Sequence, residues 1–472
     1  MASPSPPVVD LGKLSYEIFS LLETNFLFGA GAGTPGRPVV DGGGKVRILS
    51  IDGCGSGPGD ALLAAAALVR LEAALRDKSG DPDARVADFF DAAAGAGAGG
   101  VLAAMLFMKG DDGGVRPKYS ASDALAFVAA SLAKGGGAWR GGAGGGGGGG
   151  IIRRWWPAAL MFRRAERSSS PSLKRIFGEA TMRDTVAPLL VPCYDLATAA
   201  PFLFSRADAV ESDSFDFRLR DVCAATCAGG GAAAAVRSVD GRTSIAAASG
   251  GVAAMGNPTA AAITHVLHNK QEFPLAAGVD DLLVVSIGSG SGSGGGASAA
   301  SATPFSGGWR TPLPPRSPSP AEMVRLTAEG VADMVDQAVA MAFGHTCGRN
   351  YVRIQAASPA YKTKGMSAAE VKKAAAMADG MLTQRNVEAE LFRGRRLSEK
   401  SNREKLDAFA AELVKEHERR RASPGLPNVV IKQSNPTPAR LSSATTASSA
   451  TTAATARTSM PSPAASLDSG GH

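Results

Sequence analysis

The sequence predicts an α/β protein in which helices cover both faces of a largely parallel sheet, giving three layers. An apolar run at 46–51 enters a glycine-rich turn at 52–59, and a helical segment follows to about residue 78. The same succession of strand, glycine turn and helix occurs at 86–107, and a further buried strand is predicted at 281–287. Strands and helices that alternate in this way are typical of parallel α/β sheets.

The chain divides by composition into four parts. A candidate amphipathic helix at 13–28 and a Gly/Pro-rich linker form an N-terminal part, 1–44, and the α/β domain occupies 45–390. Residues 391–421 are strongly charged with apolar residues on one helical face, which predicts a C-terminal helix docked on the domain. Residues 422–472 are rich in Ser, Thr, Ala and Pro, a composition that cannot form a core and predicts a disordered tail.

Shorter signals predict the remaining elements of the domain. Apolar segments broken by Pro and Asp predict strands within 186–206, helical periodicity covers 321–343, and a short strand follows near residue 352. The stretch 109–176 is predicted to be irregular. Its basic and aromatic part, 153–164, suits either a bilayer interface or a loop with its tryptophans in the core.

Composition and charge limit the partners and the cellular compartment that we expect for this protein. The 472 residues carry a formal net charge of +7, which favours either contact with anionic surfaces such as phospholipid headgroups or a solvated basic surface. The five cysteines form no zinc-site pattern and fit a reduced compartment. Neither a secretory signal pattern nor an apolar run long enough to span a bilayer occurs. We therefore expect a cytoplasmic protein without a nucleic-acid partner, in which any contact with membrane lipid is made from the membrane surface.

The turn at 95–99 has the form of a nucleophile elbow that lacks its nucleophile. In such an elbow, a Gly-x-Ser-x-Gly turn between strand and helix lifts a serine hydroxyl above the sheet. Here Gly97 occupies the serine position, and Asp91 is predicted to cap or brace the turn. Ligands of open α/β sheets bind at the carboxyl ends of strands. We expect this turn and those at 52–59 and 249–251 to converge on one site, where backbone N–H groups hold an anion.

The order of these motifs resembles the patatin-like lipid acyl hydrolases over roughly residues 45–290. The segment 48–55 is similar to the strand and glycine loop that supply the oxyanion hole of that family, and 91–100 is similar to its nucleophile elbow. The segment 249–254 resembles the Asp-Gly-Gly motif that carries the second catalytic residue. The flanking helices and the elbow glycine resemble one plant branch of the family.

The resemblance implies an α/β/α patatin-like fold and a Ser–Asp dyad that hydrolyses phospholipid or galactolipid esters without a metal or other cofactor. It assigns the nucleophile position to Gly97 and the base position to Ser249, so both dyad residues are substituted. The implied oxyanion donors are the N–H groups of Gly53, Cys54 and Gly55. The further motif positions are Asp52, which would orient the loop, and Gly95, Gly99, Gly250 and Gly251.

The residues leave two functions open for a protein of the patatin-like fold. One is a lipid acyl hydrolase with an atypical centre, in which Cys54, Ser56 or Ser249 attacks and His265 or His268 serves as base. The other is a weak or inactive lipid-binding protein of the same fold, since loss of a triad leaves only about 10³–10⁴-fold acceleration over water.

A third function, a dinucleotide-binding oxidoreductase, rests on the Gly-x-Gly-x-x-Gly spacing of 95–100 alone. That motif is weak evidence on its own. The turn also belongs to the second strand–helix unit, whereas the dinucleotide fingerprint occupies the first.

Overall fold

A computed structural model of the chain describes residues 44–53, 61–110, 116–133, 170–228, 234–248, 250–274, 276–288, 319–356, 367–390, 394–422 and 429–430. They belong to one unit, Met1–Gln433, while a second unit, Ser434–His472, lies outside the described residues. The predicted helix at 13–28, the basic stretch at 153–164 and the tail beyond residue 430 also lie outside them.

Strands and helices alternate along most of the chain. The strands are β1 (Val46–Ile51), β2 (Ala92–Gly95), β3 (Leu189–Asp195), β4 (Ala200–Ser205), β5 (Ala234–Arg237), β6 (Ser244–Ala248), β7 (Leu282–Ile287), β8 (Tyr351–Ile354), β9 (Arg385–Glu390) and β10 (Gly394–Ser401). The α-helices are α1 (Leu62–Ser79), α2 (Gly97–Phe107), α3 (Ala121–Ala133), α4 (Pro171–Phe177), α5 (Arg206–Glu211), α6 (Leu219–Thr226), α7 (Thr259–His268), α8 (Pro320–Phe343), α9 (Ala368–Thr383) and α10 (Asn402–Ala422).

The central sheet has the strand order β5-β6-β3-β2-β1-β7-β8, and β4 also pairs with β3. The run β3-β2-β1-β7-β8 is parallel throughout, whereas the pairings of β4, β5 and β6 are antiparallel. The predicted fold class, α/β with a largely parallel sheet, is confirmed. Strands β9 and β10 form a separate antiparallel hairpin.

Alternate residues of β1 supply the cores on the two faces of the sheet, as the period of two in a strand requires. Leu49 and Ile51 belong to a large cluster with residues of α1, α2, α3, α6 and α10. Val46 and Ile48 belong to a second cluster with residues of α7 and α8. Complete burial of such a side chain contributes about 1.5–3 kcal/mol. The two clusters make the molecule three layers deep.

The C-terminal helix starts later than predicted. Within the predicted 391–421 helix, residues 394–401 instead form strand β10, and α10 begins at Asn402. A capping box fixes this start, because the Ser401 hydroxyl accepts the Glu404 N–H at 3.2 Å and the Glu404 carboxylate accepts the Ser401 N–H at 2.7 Å. The helix does pack on the domain, as Leu406, Phe409 and Leu413 are buried against the first cluster.

The prediction of irregular structure over 109–176 is wrong for two helices, α3 and α4. Helix α3 begins with reciprocal bonds between Ser120 and Asp123, and α4 begins with Ser170 as N-cap and Pro171 in its first turn. Both caps were readable in the sequence, and the apolar residues of α3, among them Phe127, Val128 and Leu132, were a further signal that was missed. Among the helices that the structure describes, none is both long and apolar enough to cross a membrane.

Candidate active site at the carboxyl ends of the strands

The ends of β1, β2 and β7 meet at one edge of the sheet through backbone hydrogen bonds. The Asp52 N–H donates to the Ile287 carbonyl at 2.9 Å, and the Ala96 N–H donates to the Ile51 carbonyl at 3.1 Å. The Gly53 N–H donates to the Gly256 carbonyl at 3.0 Å, which ties the first glycine turn to the segment after Gly250. The predicted convergence of the turns is therefore found for the residues that the structure describes.

Gly97 has the backbone conformation of an elbow. It follows β2, opens α2 and is buried, with φ at +50°. Non-glycine residues adopt this left-handed region at a cost, so glycine relieves the strain that an elbow normally stores. The Gly97 N–H donates to the Thr226 hydroxyl oxygen at 2.8 Å. The turn keeps its shape, then, although it presents no nucleophilic side chain.

Two further glycines permit backbones to approach each other closely. A Cβ at Gly53 would lie 1.8 Å from the Ala96 carbonyl oxygen, and a Cβ at Gly250 would lie 2.0 Å from the Pro192 carbonyl oxygen. The Gly250 position also faces Thr226, whose hydroxyl oxygen would lie 2.3 Å away. Thr226 thus stands between the elbow and the turn that carries the second dyad position. Gly95, Gly99 and Gly251 are buried in the same turns.

Asp52, the first residue of the β1 turn, forms a buried ion pair with Arg353 on β8. The guanidinium contacts both carboxylate oxygens, at 2.9 and 2.5 Å. Burial raises the pKa of Asp52 to about 6, against the opposing effect of Arg353, so the carboxylate is ionised at pH 7. Asp52 is expected to orient the loop, and the structure adds Arg353 as its partner, a residue that the sequence analysis did not single out. The sequence signal for this partner was a single arginine in the otherwise uncharged strand at 351–354.

A row of polar side chains lies beneath the turn. Ser50, Ser286 and Arg353 are cross-strand neighbours on β1, β7 and β8. The Thr259 hydroxyl, at the start of α7, lies 2.9 Å from each serine hydroxyl, and it donates to the Asn257 side-chain oxygen at 2.5 Å. Buried polar groups that are mutually bonded make an arrangement rigid. This network fixes the ends of β1 and β7 relative to α7.

Several predicted site residues lie outside the described residues. They are Cys54, Gly55, Ser56 and Ser249, whereas Gly53 and Gly250 are described. The Gly53 N–H already donates to Gly256, so this conformation does not leave it available to an oxyanion. The oxyanion role predicted for Gly53 would require that bond to break.

Neither predicted histidine base has a contact at this edge among the described residues. His265 lies 4.0 Å from the Glu272 carboxylate and against Phe273, in the loop beyond α7. It is also six residues into the helix, about 9 Å along the axis from Thr259. Burial lowers the pKa of His265, and the exposed His268 ring bonds to the Thr264 carbonyl oxygen at 2.9 Å. The geometry does not support a base role for either residue.

Asp91 lies at the opposite end of β2, so the prediction that it braces the elbow is wrong. Its carboxylate contacts Arg47 at 3.0 Å and Arg420 of α10 at 2.8 Å. Burial raises the pKa of Asp91, but the two arginines outweigh that effect and lower it to about 2. Asp91 therefore fastens the C-terminal helix to the amino-terminal edge of the sheet.

A cavity of about 390 Å³ adjoins the candidate site. Residues 251–256 form one wall, and the first half of α8, including Met323, Val324 and Val331, forms the other. Its lining is mostly apolar, which suits hydrocarbon better than a charged ligand. In the part of the chain that the structure covers, no group of three or more His, Cys, Asp or Glu side chains could hold a metal ion.

Comparison with known proteins decides the family. The model of the patatin-like phospholipase family matches residues 49–263, which contain the β1 turn, the elbow and the turn at 250. Patatin-like protein 3 of Oryza sativa subsp. indica is 52% identical over 87% of this chain and 92% of its own length. The chain belongs to the patatin-like family.

Two Arabidopsis thaliana relatives extend the comparison. Patatin-like protein 7 is 46% identical over 91% of this chain and 86% of its own length. Probable inactive patatin-like protein 9 is 40% identical over 86% of this chain and 93% of its own length. Patatin-like proteins are generally lipid acyl hydrolases, and the name of protein 9 describes that relative as a probable inactive member.

Proposed function

We propose that this patatin-like protein is a non-specific lipid acyl hydrolase with an atypical catalytic centre, acting on the esters of phospholipids and galactolipids. The observation that carries the proposal is the convergence of the elbow, the β1 turn and the turn at 250 on one edge of the sheet. The positive end of the α2 dipole lies at the same edge, where it favours a developing oxyanion. The adjoining apolar cavity suits an acyl chain.

The attacking group in this proposal is not residue 97. In the sequence, Cys54 and Ser56 come one and three positions after Gly53, and Ser249 immediately precedes Gly250, so these three residues are the candidates for the nucleophile. In the first step, the sulfur or oxygen of the nucleophile bonds to the acyl carbon and the ester C–O bond breaks. The proton of the nucleophile passes to the departing lysolipid alcohol. Water then bonds to the acyl carbon, the bond between that carbon and the nucleophile breaks, and one proton of the water returns to the nucleophile as the fatty acid leaves.

A lipid-binding protein without turnover is the second candidate. Two observations favour it: Gly97 presents no nucleophile, and the Gly53 N–H is already bonded to the Gly256 carbonyl. Such a protein would bind the same phospholipids or galactolipids at a membrane surface and leave the ester intact. The name of the Arabidopsis relative that is 40% identical is consistent with this outcome.

The deciding experiment measures fatty-acid release from acyl-labelled phosphatidylcholine and galactolipid by the purified full-length chain. We expect release above the buffer rate and its loss in one of three variants, Cys54→Ala, Ser56→Ala or Ser249→Ala. Cys347→Ala and Ser244→Ala are matched controls, because both side chains are exposed. A fluorophosphonate trap followed by mass spectrometry identifies the reactive residue. Release no faster than in buffer, with lipid binding retained, would establish the second candidate instead.

A further inference from the structure

Helix α8 exposes apolar side chains from Met323 to Ala342 among its described residues. Its outer face is defined by Val324, Thr327, Val331, Met334, Ala338 and Met341, all exposed and spaced by three or four residues. Met334 and Met341 are 66% and 68% exposed, and Val324 is 53% exposed. The face is about 26 Å long at the rise of an α-helix. Isolated exposed apolar residues are ordinary, but a continuous face of this length indicates a binding surface.

The inner side of α8 already serves the fold. Ala328, Ala332, Val339 and Phe343 are buried, and Asn257 donates a hydrogen bond to the Ala332 carbonyl at 3.3 Å. The helix is therefore apolar on two sides, and only one of them is needed for packing. Packing against the core therefore does not explain the apolar side chains of the outer face.

The residues that define the outer face carry no charge. Between residues 323 and 342, every exposed side chain that the structure describes is uncharged, and the described Asp333 is half-buried and is not one of the residues of the outer face. The carboxylates of Glu329 and Asp336 are buried on the inner side. The chain as a whole carries a formal net charge of +7, which favours anionic surfaces. The outer face of α8 offers no described cation for an anionic headgroup and fits an uncharged lipid surface better.

The outer face is also continuous with the candidate site. Val324, Thr327 and Val331 belong both to this face and to the wall of the 390 Å³ cavity. The opposite wall begins at Gly251, next to the turn at the second dyad position. Hydrocarbon in contact with the outer face would therefore have a short apolar route to the site.

We propose that the outer face of α8 docks this protein on bilayers whose headgroups are uncharged overall, with Met334 and Met341 inserted among the acyl chains. The proposal rests on the proposed lipid function, because the docked surface is the substrate. Methionine side chains are flexible and adapt to an irregular apolar environment. Since no described charge contributes, binding depends on buried apolar area and hardly on ionic strength.

The test is sedimentation of the full-length chain with vesicles of phosphatidylcholine and digalactosyldiacylglycerol, with and without phosphatidylglycerol. We expect binding to uncharged vesicles that is unchanged by salt up to ~0.5 M. We expect Met334→Lys/Met341→Lys to weaken it about tenfold or more. Met377→Lys is the matched control, because Met377 is 38% exposed on another helix, α9. Met334→Leu/Met341→Leu should bind like the natural chain, and circular dichroism verifies that each variant folds.

Three results would overturn the docking proposal. They are no binding to uncharged vesicles, binding that needs phosphatidylglycerol and disappears in salt, and a dimer in solution that the lysine variant dissociates, which would make a second copy the occupant. Hydrolysis of a water-soluble short-chain ester separates the two proposals. Vesicle binding through α8 without ester hydrolysis supports docking and overturns only the hydrolase.

Discussion

The Thr226 hydroxyl oxygen lies 2.8 Å from the Gly97 backbone nitrogen and accepts its N–H across 129 positions of sequence. This bond joins the end of α6 to the first turn of α2, and it satisfies a helix-terminal donor that has no partner inside the helix. Because Thr226 also faces Gly250, one buried side chain sets the separation between the elbow and the turn at the second dyad position.

Thr226→Val should destabilise the protein by about 1–3 kcal/mol, because it leaves the buried Gly97 N–H without an acceptor. Thr226→Ser keeps the hydroxyl and should cost less than the valine substitution. Urea unfolding followed by circular dichroism measures both changes. Equal losses in the two variants would show that the methyl group of Thr226, and not its hydrogen bond, matters.

Gly97→Ser/Ser249→Asp should install the dyad that the family resemblance implies. Because φ at residue 97 is +50°, the backbone already has the shape of a nucleophile elbow. We expect ester hydrolysis to rise at least about 10²-fold and a fluorophosphonate to label position 97. The left-handed backbone should cost about 1–2 kcal/mol of stability.

Gly97→Ala/Ser249→Asp is the matched control for that experiment. It imposes the same backbone strain without a hydroxyl, so its rate of hydrolysis should not rise. An equal rise in both variants would mean that position 249 alone limits the natural rate.

Arg353→Met should destabilise the protein by about 3–5 kcal/mol, because it leaves the Asp52 carboxylate buried without its cation. Asp52→Asn/Arg353→Met removes both charges and should recover a large part of that loss. Equilibrium urea unfolding of the two variants and the natural chain gives the comparison. Additive losses from the two substitutions would contradict a direct ion pair.

Acid should remove the contribution of Asp91. Its pKa falls from 3.8 in the unfolded chain to about 2 in the folded protein, so ionised Asp91 contributes about 2 kcal/mol above pH 4. The contribution is lost as the pH falls from about 4 to about 2, since both states then bind the proton. Free energies of unfolding for the natural chain and Asp91→Asn should converge over this range. A difference that is independent of pH would contradict the assignment.

Much of the fold was predictable from local sequence patterns, whereas the remainder depends on contacts between residues that are far apart in the sequence. Strands β1, β7 and β8 follow from buried apolar runs, and the elbow follows from glycines at fixed offsets. The Asp52–Arg353 pair was not predictable, because its partners are 301 positions apart and only the order of β1, β7 and β8 brings them together.

The charged segment at 394–401 shows why pattern alone was insufficient near the C-terminus. Its residues suit an exposed helix or an exposed strand equally well, and only pairing with β9 selects the strand.

The candidate site was predicted in outline for a similar reason. The glycine turns are local, whereas the place of Thr226 between them depends on how α6 packs.

The ion pair between Asp91 and Arg420 spans 329 positions, and this separation affects synthesis of the protein on the ribosome. At ordinary rates of translation, the arginine emerges roughly 15–65 s after the aspartate. During that interval the nascent sheet has Arg47 but no C-terminal helix across its edge. Among the described helices α10 is the last to be made, so the contact between Arg420 and Asp91 forms only after most of the domain has been synthesised.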